Sequence, residues 1–199
     1  MSPATLPPPP AAPASQPPPD TLMTAEEFSA KPADGRKYEL VLGRLEEVCI
    51  RGGLHGEVQA NIIFSIRVWA LETDVGRVSG ETGVVVERDP DTVRGPDVAF
   101  HTYDRWPRGT PRGGFIQNPP EVAFEIRSPG DRRARLLRKV AEYLDAGVIA
   151  VLSVDPERRT AELFTADGPT VNFAAADRLA LPAPLAGWTP TVAELVDEQ

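Results

Sequence analysis

Two carboxylates in the middle of the chain have the residue types and spacing to share a metal ion. Asp97 opens one predicted strand, and Glu125 lies inside the next, in the segment PPEVAFEIRSP, on the face opposite its large apolar residues. Carboxylates on neighbouring strands can face each other, where their repulsion is costly unless a cation lies between them. Such oxygen ligands suit Mg²⁺ or Mn²⁺, which promote phosphoryl chemistry. The ordinary alternative is a buried ion pair of either carboxylate with Arg94 or Arg127.

The elements that must position these residues form a predicted sheet with helices packed on it. A short helix, TAEEFSAKP, has Thr24 as N-cap and Glu27 at the spacing of a capping box. KYELVLGRLEEVCI follows as two strands, and HGEVQANIIFSIRVWALETDVG as a long helix that ends just before Gly76. The order helix, three strands, helix, strand then predicts an α/β (α+β) fold with a central mixed β-sheet flanked by helices. The later segments are the strands GRVSGETGVVVERDP, VRGPDVAFHTY and PPEVAFEIRSP, the helix RRARLLRKVAEYLDAG, the strands VIAVLSVDPE and TAELFTA, and a C-terminal stretch that wraps the core.

Composition indicates one domain behind a tail. Residues 1–22 are almost wholly Pro, Ala, Ser and Thr, which predicts a disordered tail, and residues 23–199 suffice for a single domain. Cys49 is the single cysteine, so an internal disulfide and a cysteine zinc site are excluded, and a reducing cytoplasm fits best. No segment resembles a secretory signal or is long and apolar enough to cross a membrane.

Charge is distributed unevenly along the chain. The net charge of −8 argues against a broad basic surface of the kind that binds nucleic acid without specificity. The segment IRSPGDRRARLLRK nevertheless carries six cationic groups against one Asp, so a local phosphate-binding patch is compatible with the acidic total. The run at 132–138 is otherwise a solvated face. The loop at 104–120, with Arg105, Arg108 and Arg112, is the first candidate for substrate contact.

The motifs, taken in order, resemble a family of nucleases. GPD at 95–97 and EIRSP at 125–129 resemble the motif of the PD-(D/E)xK superfamily. From Met23 to about Phe164 the chain resembles more narrowly the Uma-two family of restriction endonucleases, found mostly in bacteria. The resemblance implies a restriction-endonuclease-like core, hydrolysis of DNA phosphodiester bonds with Mg²⁺ or Mn²⁺, and a homodimer that cuts both strands. The matching segments are MTAEEF, YELVLGRL, the helix-opening His55, RGPDVAF, PPEVAFEIRSP, RKVAEYLDAGV and VDPERRTAELF.

The resemblance also implies roles for individual residues. Asp97 and Glu125 match the metal-binding carboxylates. The superfamily has a lysine two residues after that glutamate, but this chain has Arg127, which cannot give up its proton. Arg127 would contact the scissile phosphate or hold Glu125 in place. In the Uma-two pattern the lysine lies on the following helix, where Lys139 matches it and Tyr143 follows one turn later.

Helix geometry supports this position of the lysine. At about 100° per residue, Leu136, Val140 and Tyr143 form an apolar stripe, and Lys139 lies at its edge. Lys139 therefore projects toward the sheet, where it would orient the attacking water or stabilise developing charge, with Tyr143 as support. The alternatives are a solvated lysine and a tyrosine that belongs only to the core.

Two further residues complete the predicted site. Glu39 matches an acidic position that the family favours, and it would add a carboxylate to the metal shell. His55 opens the long helix on the same face as Val58 and Ile62, and it would contact substrate phosphate or transfer a proton. The alternatives are a salt-bridge partner within the hairpin for Glu39 and an ordinary helix-start residue for His55.

Two functions are compatible with the sequence. The first is a magnesium-dependent DNA endonuclease. The second is a catalytically inactive relative that serves as a nucleic-acid or protein interaction module, which Arg127 and the acidic total charge favour slightly.

Overall fold

Along the described part of the chain, helices separate runs of two, five and three strands. The computed structural model describes residues 22–49, 51–111 and 113–198, so the predicted tail, apart from Leu22, lies outside the described residues. The helices are α1 (Ala25–Ala30), α2 (Gly53–Thr73), α3 (Arg133–Asp145) and α4 (Val192–Val196). The strands are β1 (Lys37–Val41), β2 (Arg44–Val48), β3 (Gly76–Gly80), β4 (Val84–Glu87), β5 (Thr92–Arg94), β6 (Val98–Thr102), β7 (Val122–Ile126), β8 (Ala150–Asp155), β9 (Thr160–Phe164) and β10 (Val171–Phe173).

The strands form two sheets of different size. The larger has the order β10-β9-β8-β7-β6-β3, in which β7 and β8 are parallel and the other neighbours antiparallel. The smaller has the order β2-β1-β5-β4. Apolar residues of α2 and α4 pack on one face of the larger sheet, and those of α3 pack on the other. The predicted mixed sheet flanked by helices is therefore confirmed.

Alternation along β7 separates its core face from its polar face, as predicted. Val122, Phe124 and Ile126 belong to the cluster that contains the buried residues of α2. Ala123 packs on the other face against α3. Because side chains alternate on a strand, Glu125 lies with Ala123 on the α3 side of the sheet.

The helix boundaries depend on specific capping residues. The capping box of α1 is confirmed, because the Thr24 hydroxyl accepts from the Glu27 amide at 3.2 Å and the Glu27 carboxylate accepts from the Thr24 amide at 2.8 Å. The predicted end of α2 at Gly76 is wrong. Asp74 adopts the left-handed conformation that ends α2 (φ 55°), and Gly76 begins β3, where a Cβ atom would lie 2.3 Å from the His101 carbonyl oxygen.

Two segments predicted as single strands are each divided between the sheets. The first forms β3 in the larger sheet and β4 in the smaller one, and the second forms β5 in the smaller sheet and β6 in the larger one. The break between β5 and β6 falls at Gly95 and Pro96, and proline cannot donate a ladder hydrogen bond. GPD is therefore the crossover between the sheets, and it brings Asp97 to their junction.

The C-terminal region packs on the core as predicted. Leu185, Trp188 and Leu195 are buried in the cluster shared with α2. In the part of the chain that the structure describes, no helix is long and apolar enough to cross a membrane.

Candidate active site

The predicted site residues meet at the junction of the two sheets. Glu39 comes from β1, and Asp97 lies immediately before β6. Glu125 comes from β7, and His55 from the first turn of α2. All four side chains are buried. Lys139 and Tyr143 lie one turn apart on the buried face of α3 and complete the group.

Lys139 joins two of the carboxylates. Its Nζ lies 2.7 Å from Glu125 Oε1 and 3.2 Å from Glu39 Oε1, and the side chain is 9% exposed, so the alternative of a solvated lysine is wrong. Burial by itself would lower the pKa of Lys139, but the negative charges of Glu125 and Glu39 outweigh it and raise the pKa above its usual value. Lys139 is therefore a cation at neutral pH.

Tyr143 serves the site as well as the core. Its hydroxyl donates to Glu125 Oε1 at 2.9 Å, and its ring is fully buried in the cluster beneath α3. Burial, reinforced by the nearby charge of Glu125, raises the pKa of Tyr143 well above its usual value. The phenol therefore stays protonated and keeps the Glu125 carboxylate in a fixed orientation.

The two central carboxylates have different surroundings. Burial raises the pKa of Glu125 to about 7, and the charge of Asp97 adds to the rise, while Lys139 opposes it. Asp97 Oδ2 accepts a hydrogen bond from the Ile126 amide at 2.6 Å, so the Asp97 side chain is tied to the strand that carries Glu125. Within the described residues neither carboxylate forms an ion pair with Arg94 or Arg127, so the predicted alternative of a buried ion pair is wrong.

His55 lies beside Asp97. Its Nε2 is 3.2 Å from Asp97 Oδ1 but is not aligned for a hydrogen bond, and this buried nitrogen has no other partner among the described residues. Its Nδ1 lies 3.4 Å from the Ser128 hydroxyl. His55 therefore has a polar atom directed into the site, which an ordinary helix-start residue does not need.

A buried arginine that sequence reasoning did not assign holds Glu39. The Arg94 guanidinium is fully buried and lies between Glu39 and Glu142. It donates to Glu39 Oε2 at 2.7 Å and to the two oxygens of Glu142 at 2.6 and 2.9 Å. Burial favours a higher pKa for Glu39, but the charges of Lys139 and Arg94 outweigh it and lower that pKa. The predicted salt bridge of Glu39 within its hairpin is wrong, because the residue opposite it in β2 is Glu46.

The structure does not bring Arg127 to Glu125. Arg127 lies just past the end of β7, and its Nη1 donates to Asp155 Oδ2 at 2.9 Å. The expectation that Arg127 holds Glu125 in place is therefore wrong. Its expected contact with the scissile phosphate stays a prediction.

In the predicted substrate loop at 104–120, the described arginines contact other groups of the protein. Arg105 donates to the carbonyl oxygens of Pro119 and Pro120 at 3.1 and 3.0 Å. Arg108 pairs with Asp74 at the end of α2. Arg112 lies outside the described residues. The part of this loop that the structure describes is therefore a weaker candidate for substrate contact than the basic start of α3.

The carboxylates of the site suit a divalent cation as a pair and not as a set of three. Among the described residues, no group of three or more His, Cys, Asp or Glu side chains is arranged to hold a metal ion, so the expected shell of Asp97, Glu125 and Glu39 is not formed in this arrangement. Mg²⁺ often binds through one or two carboxylates and keeps several waters. Asp97 and Glu125 fit that smaller set, and a groove of about 360 Å³ lined by Glu39, Asp97 and Lys139 opens beside them.

Known proteins resemble this chain in sequence and in fold. A family model described as "Uma2: Putative restriction endonuclease" matches residues 25–193. The crystal structure of a protein from Anabaena variabilis, described as "a putative nuclease belonging to DUF820", is similar to this chain with a TM-score of 0.73 and 20% sequence identity. The similarity covers 87% of this chain and 97% of that one, and at this identity it shows a shared fold. No curated protein matches the chain.

Proposed function

The chain belongs to the Uma2 family, and from this membership we propose that it is a metal-dependent endonuclease that hydrolyses phosphodiester bonds in DNA. The family's description supports a nuclease that acts on nucleic acid. The observation that carries the finer proposal is the buried contact of Lys139 and Tyr143 with Glu125, next to Asp97. A carboxylate that only stabilises the fold does not need a second carboxylate beside it, since two buried like charges repel each other.

Each residue has a defined part in the proposed reaction. Asp97 and Glu125 hold Mg²⁺ or Mn²⁺, which, when bound, supplies charge neutralisation at the phosphate and activation of water. Lys139, as a cation, stabilises the negative charge that develops on the phosphate oxygens. Tyr143 fixes the orientation of Glu125. His55, beside Asp97, is placed to accept or return a proton.

Plasmid cleavage tests the proposal. Wild-type protein and Asp97→Asn are each incubated with supercoiled plasmid and Mg²⁺ or Mn²⁺. The substitution keeps the side-chain shape and the oxygen that accepts from Ile126, but it removes the charge that binds the metal. We expect the wild type to nick or linearise the plasmid and Asp97→Asn to lose at least about 99% of the rate. Equal rates would indicate a contaminating nuclease, and no cleavage by the wild type would favour the inactive interaction module.

We also propose that the protein acts as a homodimer through the outer face of α2. This helix is apolar on two opposite sides: Val58, Ile62 and Ile66 are buried against the sheet, whereas Phe64 and Leu71 are 71% and 66% exposed. Val68 shares the exposed stripe, which spans an arc of about 60° of the helix. A second copy of the chain that pairs its α2 with this stripe would bury both stripes.

Gel filtration with light scattering tests the dimer. We expect a mass of twice 21.5 kDa for the wild type and of 21.5 kDa for Phe64→Ser at low micromolar concentration. Both subunits of a symmetric dimer carry the substitution, so two apolar contacts are lost at the interface. The dissociation constant of the dimer should therefore rise on the order of a thousandfold. Val171→Ser, which removes an exposed apolar side chain from β10, is the control and should stay dimeric. A monomeric wild type would contradict this proposal and leave the nuclease proposal intact.

The single domain at 23–199 and the cytoplasmic location stay predictions.

A further inference from the structure

A second groove leads away from the active site between the starts of α2 and α3. It has a volume of about 820 Å³. A narrow cleft lined by Arg51, Arg132, Arg135, Glu125 and Lys139 joins it to the active site. The residues on its walls include Cys49, Arg51, Gly52, Arg132, Arg135 and Arg138.

This groove is strongly basic within an acidic protein. Four arginines line it against one carboxylate, Asp131, whereas the whole chain has a net charge of −8. Asp131 is already occupied, since Arg51 Nη1 lies 3.2 Å from its Oδ1 and the Ser128 amide donates to its Oδ2 at 2.8 Å. The groove therefore has a surplus of positive charge that its own acidic residue does not cancel.

The arginines at the start of α3 differ in whether they have partners. Arg133 points away from the groove and pairs with Glu162, and Arg138 at the groove's far end pairs with Glu46 at 3.2 Å. Arg132 and Arg135 line both the groove and the cleft, and their side chains have no hydrogen-bond or ion-pair partner within the described residues. The guanidinium groups without a protein partner are thus the two that lie on the path to the active site.

We propose that this groove binds the phosphodiester backbone of the DNA strand that enters the active site, through Arg132 and Arg135. A guanidinium presents its N–H donors in a planar fork that matches two phosphate oxygens. At about 1.5 Å per helical residue, Arg135 and Arg132 lie about 6 and 10 Å before Lys139 along α3. With about 3.4 Å of rise per nucleotide, these distances bring phosphates within about three nucleotides of the scissile one into reach. These contacts are independent of base sequence. This inference rests on the proposed nuclease function for its substrate.

DNA binding without cleavage tests this assignment. The fluorescence anisotropy of a labelled duplex of about 20 base pairs is titrated with the full chain in EDTA over a range of KCl concentrations. We expect Arg132→Ala/Arg135→Ala to lower the slope of log Kd against log salt by about 1.8, because each lost phosphate contact removes about 0.9. At about 0.1 M salt, the same relation predicts that the Kd of the double variant is higher than that of the wild type on the order of 50-fold. Thermal unfolding should be nearly unchanged, because neither side chain has a hydrogen-bond or ion-pair partner within the described residues.

A charge-matched variant is the control. Arg133→Ala/Arg158→Ala also removes two positive charges, but these side chains line a different groove with Asp155 and Glu162. We expect its salt slope to stay within about 0.5 of the wild type. An unchanged slope in Arg132→Ala/Arg135→Ala, an equal loss in the control, or no duplex binding by the wild type would overturn the proposal. If the salt slope falls in Arg132→Ala/Arg135→Ala but the wild type never cleaves DNA, the binding proposal stands and only the nuclease function is refuted.

Discussion

Lys139→Met is expected to lower the rate of plasmid cleavage at neutral pH by a factor of about 10³, which is within the range for a positioned catalytic group. Two losses combine in this variant. The ammonium that stabilises charge on the phosphate is removed, and Glu125 loses the cation that lies 2.7 Å from it. The pKa of Glu125 is already raised to about 7 with Lys139 present, so it rises further without Lys139. A protonated carboxyl binds metal poorly, and the site loses metal affinity as well.

The pH profile separates these two losses. In the wild type we expect the rate to increase with pH to a plateau above about 7, as Glu125 loses its proton. In Lys139→Met the midpoint should move to higher pH, and alkaline conditions should restore only the part of the rate that depends on metal binding. Lys139→Arg is the matched control, because arginine keeps the charge and cannot lose its proton. The raised pKa of Lys139 indicates a cation and not a base. We therefore expect Lys139→Arg to keep more than about a tenth of the wild-type rate.

Two results would contradict this role. A Lys139→Met variant as active as the wild type would show that the ammonium takes no part in catalysis. If instead Lys139→Arg were as inactive as Lys139→Met, the residue would act as a base or through its shape and not through its charge.

The elements of the site could be predicted where local periodicity determines them. The alternation in β7 correctly placed Glu125 opposite the core residues of that strand, and the 3.6-residue period of α3 correctly placed Lys139 on the side of the sheet. Both patterns arise because an element with one buried face repeats its apolar residues at the period of its own backbone. The capping box at Thr24 is also local, since the residues that make it lie within one turn.

The parts that could not be predicted depend on contacts between distant segments. Arg94 lies near the start of the predicted strand VRGPDVAFHTY, and its partners lie 55 residues before it in Glu39 and 48 residues after it in Glu142. A buried arginine must have partners, but their positions follow from tertiary packing. The assignment of the halves of two predicted strands to different sheets also depends on tertiary pairing, although Gly95 and Pro96 mark one of the two breaks locally. The one local signal for Arg94 is a charge directly before GPD, inside a segment predicted as a strand.

Arg94→Met is expected to lower the free energy of unfolding by about 3 to 5 kcal/mol at neutral pH, because it leaves buried Glu39 without its main hydrogen-bonding cation. Urea unfolding measures this loss. In the wild type the pKa of Glu39 is lower than its usual value, so the stability that this carboxylate contributes is present above about pH 4.5 and is lost as the pH falls through its folded-state pKa. The cost of Arg94→Met should therefore be largest near pH 7 and smaller near pH 4.

A second substitution shows whether the unpaired charge is the cause. Glu39→Gln in the Arg94→Met background removes that charge and keeps an oxygen that can accept from the Gly95 amide, so we expect it to recover about half of the lost stability. Arg178→Met is the control. Arg178 is exposed and donates to the Thr189 carbonyl oxygen, so its replacement should cost less than about 0.5 kcal/mol. A cost below about 1 kcal/mol for Arg94→Met would mean that Glu39 is held by Lys139 alone, and no recovery in the double variant would mean that the unpaired charge of Glu39 is not the cause of the loss. The recovery itself would show that Arg94 supports the active site indirectly. It fixes Glu39, which pairs with the same Lys139 ammonium as Glu125 does.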